Sequence, residues 1–194
     1  MIVKICGITN REDAMAAVEA GASAIGFNFY HDSPRYITPT GASVISEKIP
    51  ANVWKVGVFV NEGAQSIAKI ALDVALDIVQ LYGTSEARGI RIWRACRAGL
   101  ISTDYLTDDT IEAILLDTPA QNVYGGTGAT FNWLLAKGVA KNVVIAGGLD
   151  ADNVRQAIVE AQPWGVDACS RLERSPGLKD HNKMRKFIKM ALES

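Results

Sequence analysis

Four side chains in this sequence are of types that move protons, and their spacing groups them. Cys6 closes the run Val3-Lys4-Ile5-Cys6-Gly7-Ile8-Thr9, Asp117 closes Leu115-Leu116-Asp117, and Asp167 lies in Gly165-Val166-Asp167-Ala168. Each run is short, apolar and β-rich, and reads as a buried strand with its polar residue at or near the carboxyl end. Alternate side chains of a strand share a face. Cys6 therefore shares its face with Lys4, Asp117 with Leu115, and Asp167 with Cys169. A sheet that points these residues to one place gathers a thiol and two carboxylates, a set suited to general acid and base work. Lys4, placed deeper, requires a carboxylate partner, because a lone buried ammonium is too costly. Singly, each residue has a blander reading: a buried cysteine is a small apolar filler, an aspartate after a strand is a turn former, and Arg35 beside Pro34 is a surface charge.

A second set of residues suits an anion. Ala146-Gly147-Gly148-Leu149 follows one strand and Cys169-Ser170-Arg171 follows another, leading into Ser175-Pro176-Gly177. Glycine admits close backbone approach, and backbone N–H groups at such turns hold phosphate. A third turn, Gly125-Gly126-Thr127-Gly128, has the composition of a flap over a site. It lacks the Gly-Lys-Ser/Thr ending of a nucleotide P-loop.

The elements that must position these residues alternate. Strands are expected over 3–6, 24–29, 54–60, 78–81, 90–94, 114–116, 143–146 and 165–168. Helices are expected over 11–20, 39–48, 64–75, 103–111, 131–137, 151–161 and 181–192. Asn10 and Thr38 stand as N-caps, Pro39 at a first helical position, and Gly21 as a stop. Eight strands with intervening helices predict an α/β fold, a closed (β/α)8 TIM barrel, with the fourth helix shortened or absent because only Thr84 to Gly89 separate strands four and five. In such a barrel the strands' carboxyl ends carry the chemistry, and the turns after strands seven and eight hold phosphate.

Composition agrees with one domain over residues 1–194. Hydrophobic residues are 48% and charged residues 21%, with a net charge of -1, which offers no field for nucleic acid or anionic lipid. No signal-peptide layout and no run apolar enough to span a membrane are present. Three widely spaced cysteines and two histidines form neither a disulfide framework nor a metal centre, so a cytoplasmic protein with reduced thiols and no bound metal is expected.

On these stretches, together with Ala24-Ile25-Gly26-Phe27, Ser33-Pro34-Arg35-Tyr36, Val56-Gly57-Val58-Phe59-Val60-Asn61, Val79-Gln80-Leu81 and Ser175-Pro176-Gly177-Leu178-Lys179-Asp180, the chain resembles the phosphoribosylanthranilate isomerases of tryptophan biosynthesis. The resemblance runs nearly end to end. It implies an Amadori rearrangement of N-(5-phosphoribosyl)anthranilate without cofactor or metal, with Asp117 as general acid and Cys6 as general base. It further implies Arg35 against the substrate's carboxylate, Asp167 against its amino or hydroxyl groups, and Gly147, Gly148, Ser170 and Arg171 around the phosphate. The implied partner is a small-molecule substrate, with the protein a monomer or homodimer. Three departures stand out: Cys169-Ser170-Arg171 replaces a serine-serine-glycine run, Tyr82 stands in place of a histidine, and the segment 84–89 is short. Competing readings are a non-catalytic phosphosugar-binding barrel, an isomerase accepting other aminoaldoses, and a Schiff-base aldolase-like barrel. The last needs a lysine at a strand's carboxyl end, which strands two to eight do not offer.

Overall fold

The strands form where β-branched and aromatic residues cluster, and they close on themselves. In this computed structural model, which describes residues 1–118 and 130–194, eight parallel strands form a closed barrel in chain order. They are β1 (Ile2–Ile5), β2 (Ala24–Asn28), β3 (Trp54–Val60), β4 (Ile78–Tyr82), β5 (Arg91–Arg97), β6 (Ile111–Asp117), β7 (Asn142–Ile145) and β8 (Gly165–Ala168). The register Lys4↔Asp167 and Ile5↔Ala168 joins the last strand to the first. Around them lie α1 (Arg11–Glu19), α2 (Pro39–Ser46), α3 (Ala64–Val74), α4 (Thr103–Thr107), α5 (Val154–Ala161) and α6 (His181–Leu192). No helix of the described residues is long and apolar enough to cross a membrane.

Alternation along each strand separates two apolar clusters. Ala24, Val56, Ile78, Trp93, Ala113, Leu115, Val144 and Ala146 fill the barrel interior. The opposite faces, among them Val3, Ile5, Phe27, Phe59, Val79, Ile114 and Val166, pack outward. Trp54, Trp93 and Trp164 meet toward the amino-terminal end, with ring centroids 5.8–6.4 Å apart. That end is therefore closed with aromatic bulk, and the polar interior residues are left to the carboxyl end.

The helix starts follow the expected caps. The Asn10 side chain accepts from Asp13 N at 2.8 Å, and Thr38 caps α2 ahead of Pro39. Asp13 then reaches across the fold, accepting from Lys179 N at 2.8 Å and lying 2.7 Å from His181 Nε2.

Between β4 and β5 there is no helix. The short connection turns on Gly83 and Gly89, both with positive φ, and is pinned where Arg94 Nη1 donates to Ser85 O at 2.9 Å. The helix expected over 103–111 ends at Thr107, because Asp108 Oδ1 accepts from Thr110 N in a tight turn and Ile111 already belongs to β6. The helix expected over 131–137 is a single 3-10 turn, Trp133–Ala136, halted before Gly138 in the left-handed region at φ +76°. A two-stranded hairpin that the sequence did not suggest, β9 (Glu173–Ser175) and β10 (Leu178–Lys179), follows a 3-10 turn at Ser170–Leu172. The turn 125–128 lies outside the described residues.

Candidate active site

The carboxyl ends of the strands surround a cavity that is open at its mouth. Cys6, Arg35, Asp117, Gly147, Gly148, Asp167, Ser170 and Arg171 all line it, joined by Asn28, Tyr30, Gln80, Tyr82 and Cys169. The structure thus brings together the eight residues expected to act on or hold the substrate, from the ends of β1, β6, β7 and β8 and the loop after β2.

Beneath the mouth, Lys4 is fully buried and its Nζ lies 2.8 Å from Asp167 Oδ2, the carboxylate partner that its burial demanded. Burial alone would discharge Lys4, but the charges of Asp167 and Cys6 outweigh it and hold the ammonium charged. Burial pushes the Asp167 carboxyl up to about 7, even against the pull of Lys4. Its second oxygen, Oδ1, is buried with no hydrogen-bond partner among the described residues.

The Cys6 thiol is held well below its ordinary value. The largest cause is a hydrogen bond from the neighbouring thiol of Cys169. Burial opposes it, and the ammonium charges of Lys4 and Lys179 assist. Room for this packing comes from glycine: a Cβ on Gly26 would lie 2.9 Å from Cys6 Sγ, and one on Gly7 would lie 2.8 Å from Cys169 Sγ and from Arg35 Cδ. Cys169 is shifted the other way, first by its bond to Cys6 and then by burial.

Across the cavity, Asp117 is held by neutral donors. Its Oδ1 accepts from Thr118 N at 2.8 Å and its Oδ2 from the Tyr82 hydroxyl at 3.2 Å, which Gln80 Nε2 in turn approaches at 3.2 Å. Burial raises the Asp117 carboxyl, and the two hydrogen bonds only partly offset it. Gly147, at φ +82°, lets the loop after β7 lie against this carboxylate; a Cβ there would collide with Thr118 Oγ1 and stand 2.9 Å from Asp117 Oδ1.

Arg35 is not a solvated surface charge. Its guanidinium grips Glu173 in a fork, Nε to Oε1 at 2.9 Å and Nη2 to Oε2 at 2.8 Å, while Lys179 Nζ meets the same carboxylate at 3.0 Å. Despite burial, these cations hold Glu173 below the usual carboxylate range. The fork fixes the plane of Arg35 at the rim. Arg171, in the turn after β8, pairs through Nη1 with Asp150 Oδ2 at 2.6 Å, so part of its charge is already answered.

Sequence reasoning missed Tyr82, Cys169, Glu173 and Lys179. Strand alternation carried the first two, since Tyr82 shares a face with Gln80 and Cys169 shares one with Asp167. Nothing local marked Glu173, whose partner Arg35 is 138 residues away.

The family model described as N-(5'phosphoribosyl)anthranilate (PRA) isomerase matches residues 3–190. The chain belongs to this family. An N-(5'-phosphoribosyl)anthranilate isomerase of Solibacter usitatus is 48% identical over 198 residues, covering 98% of this chain and 97% of the relative. The crystal structure of phosphoribosyl anthranilate isomerase from Thermotoga maritima superposes with a TM-score of 0.87 at 40% identity, with both chains fully covered. Another such enzyme, solved in complex with reduced 1-(o-carboxyphenylamino)-1-deoxyribulose 5-phosphate, gives a TM-score of 0.82 at 37% identity, again over all of both chains. A further Thermotoga maritima structure, at 39% identity, is of monomers derived from a dimeric phosphoribosylanthranilate isomerase.

Proposed function

We infer that this chain isomerises N-(5'-phosphoribosyl)anthranilate to 1-(2-carboxyphenylamino)-1-deoxyribulose 5-phosphate, an aldose–ketose rearrangement in tryptophan biosynthesis. The observation that carries the residue roles is the pairing across one cavity of a thiol lowered by its surroundings with a carboxyl raised by its own. Such a separation assigns base and acid. Asp117 protonates the furanose ring oxygen, the ring opens, and a protonated Schiff base forms between carbon 1 and the anilino nitrogen. That cation acidifies the proton on carbon 2, which the Cys6 thiolate removes. The resulting enolamine becomes the ketone by taking a proton at carbon 1 and releasing the hydroxyl proton on carbon 2. Every step moves a proton, and each can be served by a side chain at the mouth.

The binding roles follow from what each group offers. Asp167 Oδ1 suits a hydroxyl or amino hydrogen of the substrate. Arg35 spends Nε and Nη2 on Glu173, so the anthranilate carboxylate would meet Nη1. Backbone N–H groups about Gly147, Gly148 and Ser170 suit the phosphate, with Arg171 adding charge from the rim. The chain then acts as one barrel domain in the cytoplasm, alone or as a homodimer. Adding the protein to freshly made phosphoribosylanthranilate and following its fluorescence tests this reading. Steady loss is expected, and no loss beyond the spontaneous rate would overturn it.

A further inference from the structure

The hydrogen-bonded strands β1 and β8 run side by side, and their register sets an outcome two residues beyond the Lys4–Asp167 pair. Ile5 pairs with Ala168, and Cys6 N donates to Ala168 O at 3.0 Å, so the two chains are still adjacent where Cys6 and Cys169 follow. Strand alternation turns both side chains to the side that brings Lys4 and Asp167 together. Neighbouring strands lie about 4.8 Å apart, within the roughly 4.4–6.8 Å between Cα atoms that a disulfide spans. Both thiols line the open cavity, and Lys179 Nζ stands 3.7 Å from Cys169 Sγ. The third cysteine, Cys96, lies away from this cavity on β5, and burial raises its thiol to about 11, which leaves it unreactive.

We propose that Cys6 and Cys169 form a two-thiol oxidation site at the barrel mouth, which a peroxide closes to an intramolecular disulfide and a small thiol reopens. The Cys6 thiolate attacks a peroxide oxygen, the O–O bond breaks, and sulfenic acid forms as hydroxide (or an alkoxide) leaves. Cys169 sulfur then attacks the sulfenic sulfur. The S–S bond forms, the S–O bond breaks, and the departing hydroxide leaves as water with the Cys169 proton. The pair of sulfurs is oxidised by two electrons and the peroxide reduced by two. Reopening is thiol–disulfide exchange with two equivalents of a small thiol. The disulfide stands on the geometry alone. Its effect on turnover rests on Cys6 being the base proposed above.

Reduced protein treated with hydrogen peroxide, quenched with acid and digested tests the site. The expected result is a mass loss of two hydrogens, a linked peptide pair holding Cys6 and Cys169, and Cys96 still open to alkylation. Turnover falls by roughly 10²-fold or more, the scale of a lost general base, and dithiothreitol restores it. Cys169→Ser, compared with its own untreated sample, gives a dimedone-trappable sulfenic acid at Cys6 and no crosslink. Wild-type protein that adds oxygen at Cys6 without a crosslink, or that links either thiol to Cys96, would overturn the proposal. A Cys6–Cys169 crosslink with turnover intact supports the site and overturns Cys6 as base, so the two failures are distinct.

Discussion

The two sides of the barrel mouth present opposite electrostatic settings to their working groups. On the β8–β1 side, two buried ammonium groups, Lys4 and Lys179, and a second thiol face Cys6, all of which favour its anion. On the β4–β6 side, Asp117 meets a backbone N–H and a phenol, both neutral, and its burial favours its proton. A carboxyl is the stronger acid and a thiol the weaker in water. Burial that outweighs neutral donors and the pull of Lys4 on one side, and a donor and cations that outweigh burial on the other, push the two toward exchanged roles. The difference teaches that position relative to a buried charge, more than residue type, divides acid from base here.

Removing the working groups breaks the comparison outright. Cys6→Ala and Asp117→Asn should each lower kcat by roughly 10²–10⁴-fold in the fluorescence assay, while circular dichroism shows an intact barrel. A near-normal rate in either variant would mean that the wrong groups have been assigned.

Next in size is the cation beneath the thiol. Lys4→Met leaves Asp167 buried without its partner, which should destabilise the fold by about 3 kcal/mol at pH 8, read by urea unfolding. Asp167 already holds its proton up to about 7, above its ordinary value. A group raised in the folded state contributes stability that is present at low pH and lost as pH rises through its folded value. The penalty for Lys4→Met should therefore shrink at pH 5, where Asp167 is neutral. A penalty that grows on acidification would contradict the account.

Tyr82→Phe sharpens the comparison from the acid side. Its hydroxyl stabilises the charged form of Asp117, so its loss should raise that carboxyl further. Activity that depends on a protonated acid falls as pH rises through the acid's pKa, so the alkaline limb of kcat/KM should move upward. The limb set by the base should stay in place, and kcat should change by about fivefold, one hydrogen bond of about 1 kcal/mol. Smallest of all, Arg171→Gly should change KM by less than about threefold, because the guanidinium is exposed and already paired with Asp150.

Much of this was legible in the chain because it rests on period and burial. The strands announced themselves as β-branched runs, and alternation put Lys4 with Cys6 on one strand and Asp167 with Cys169 on another. The cost of a buried ammonium then required the pair that Lys4 and Asp167 make at 2.8 Å. Gly147 and Gly148 marked a turn whose bare backbone suits a phosphate, while the approach of Gly147 to Asp117 was visible only in the structure. What was not legible depends on contacts far apart in sequence or on elements too short to have a period. The segment 131–137 has the apolar spacing of a helix, yet it makes one 3-10 turn before Gly138. The hairpin of β9 and β10 has three and two residues, too few for alternation to register. It nevertheless delivers Glu173 and Lys179, which orient Arg35 and add charge beside the thiols. Tyr82 was passed over because its type differs from the family pattern, although its place on β4 is that of a residue facing Asp117.

The central claim is that the mouth lowers the Cys6 thiol well below its ordinary value, by the neighbouring Cys169 thiol and the charges of Lys4 and Lys179. Titration of thiolate absorbance at 240 nm in the reduced protein, with Cys6→Ser subtracted, tests it directly, since Cys96 and Cys169 are both raised and ionise later. The account predicts a Cys6 midpoint well below the ordinary thiol value of about 8.5, with iodoacetamide labelling of Cys6 following the same curve. A midpoint at or above that value would contradict it.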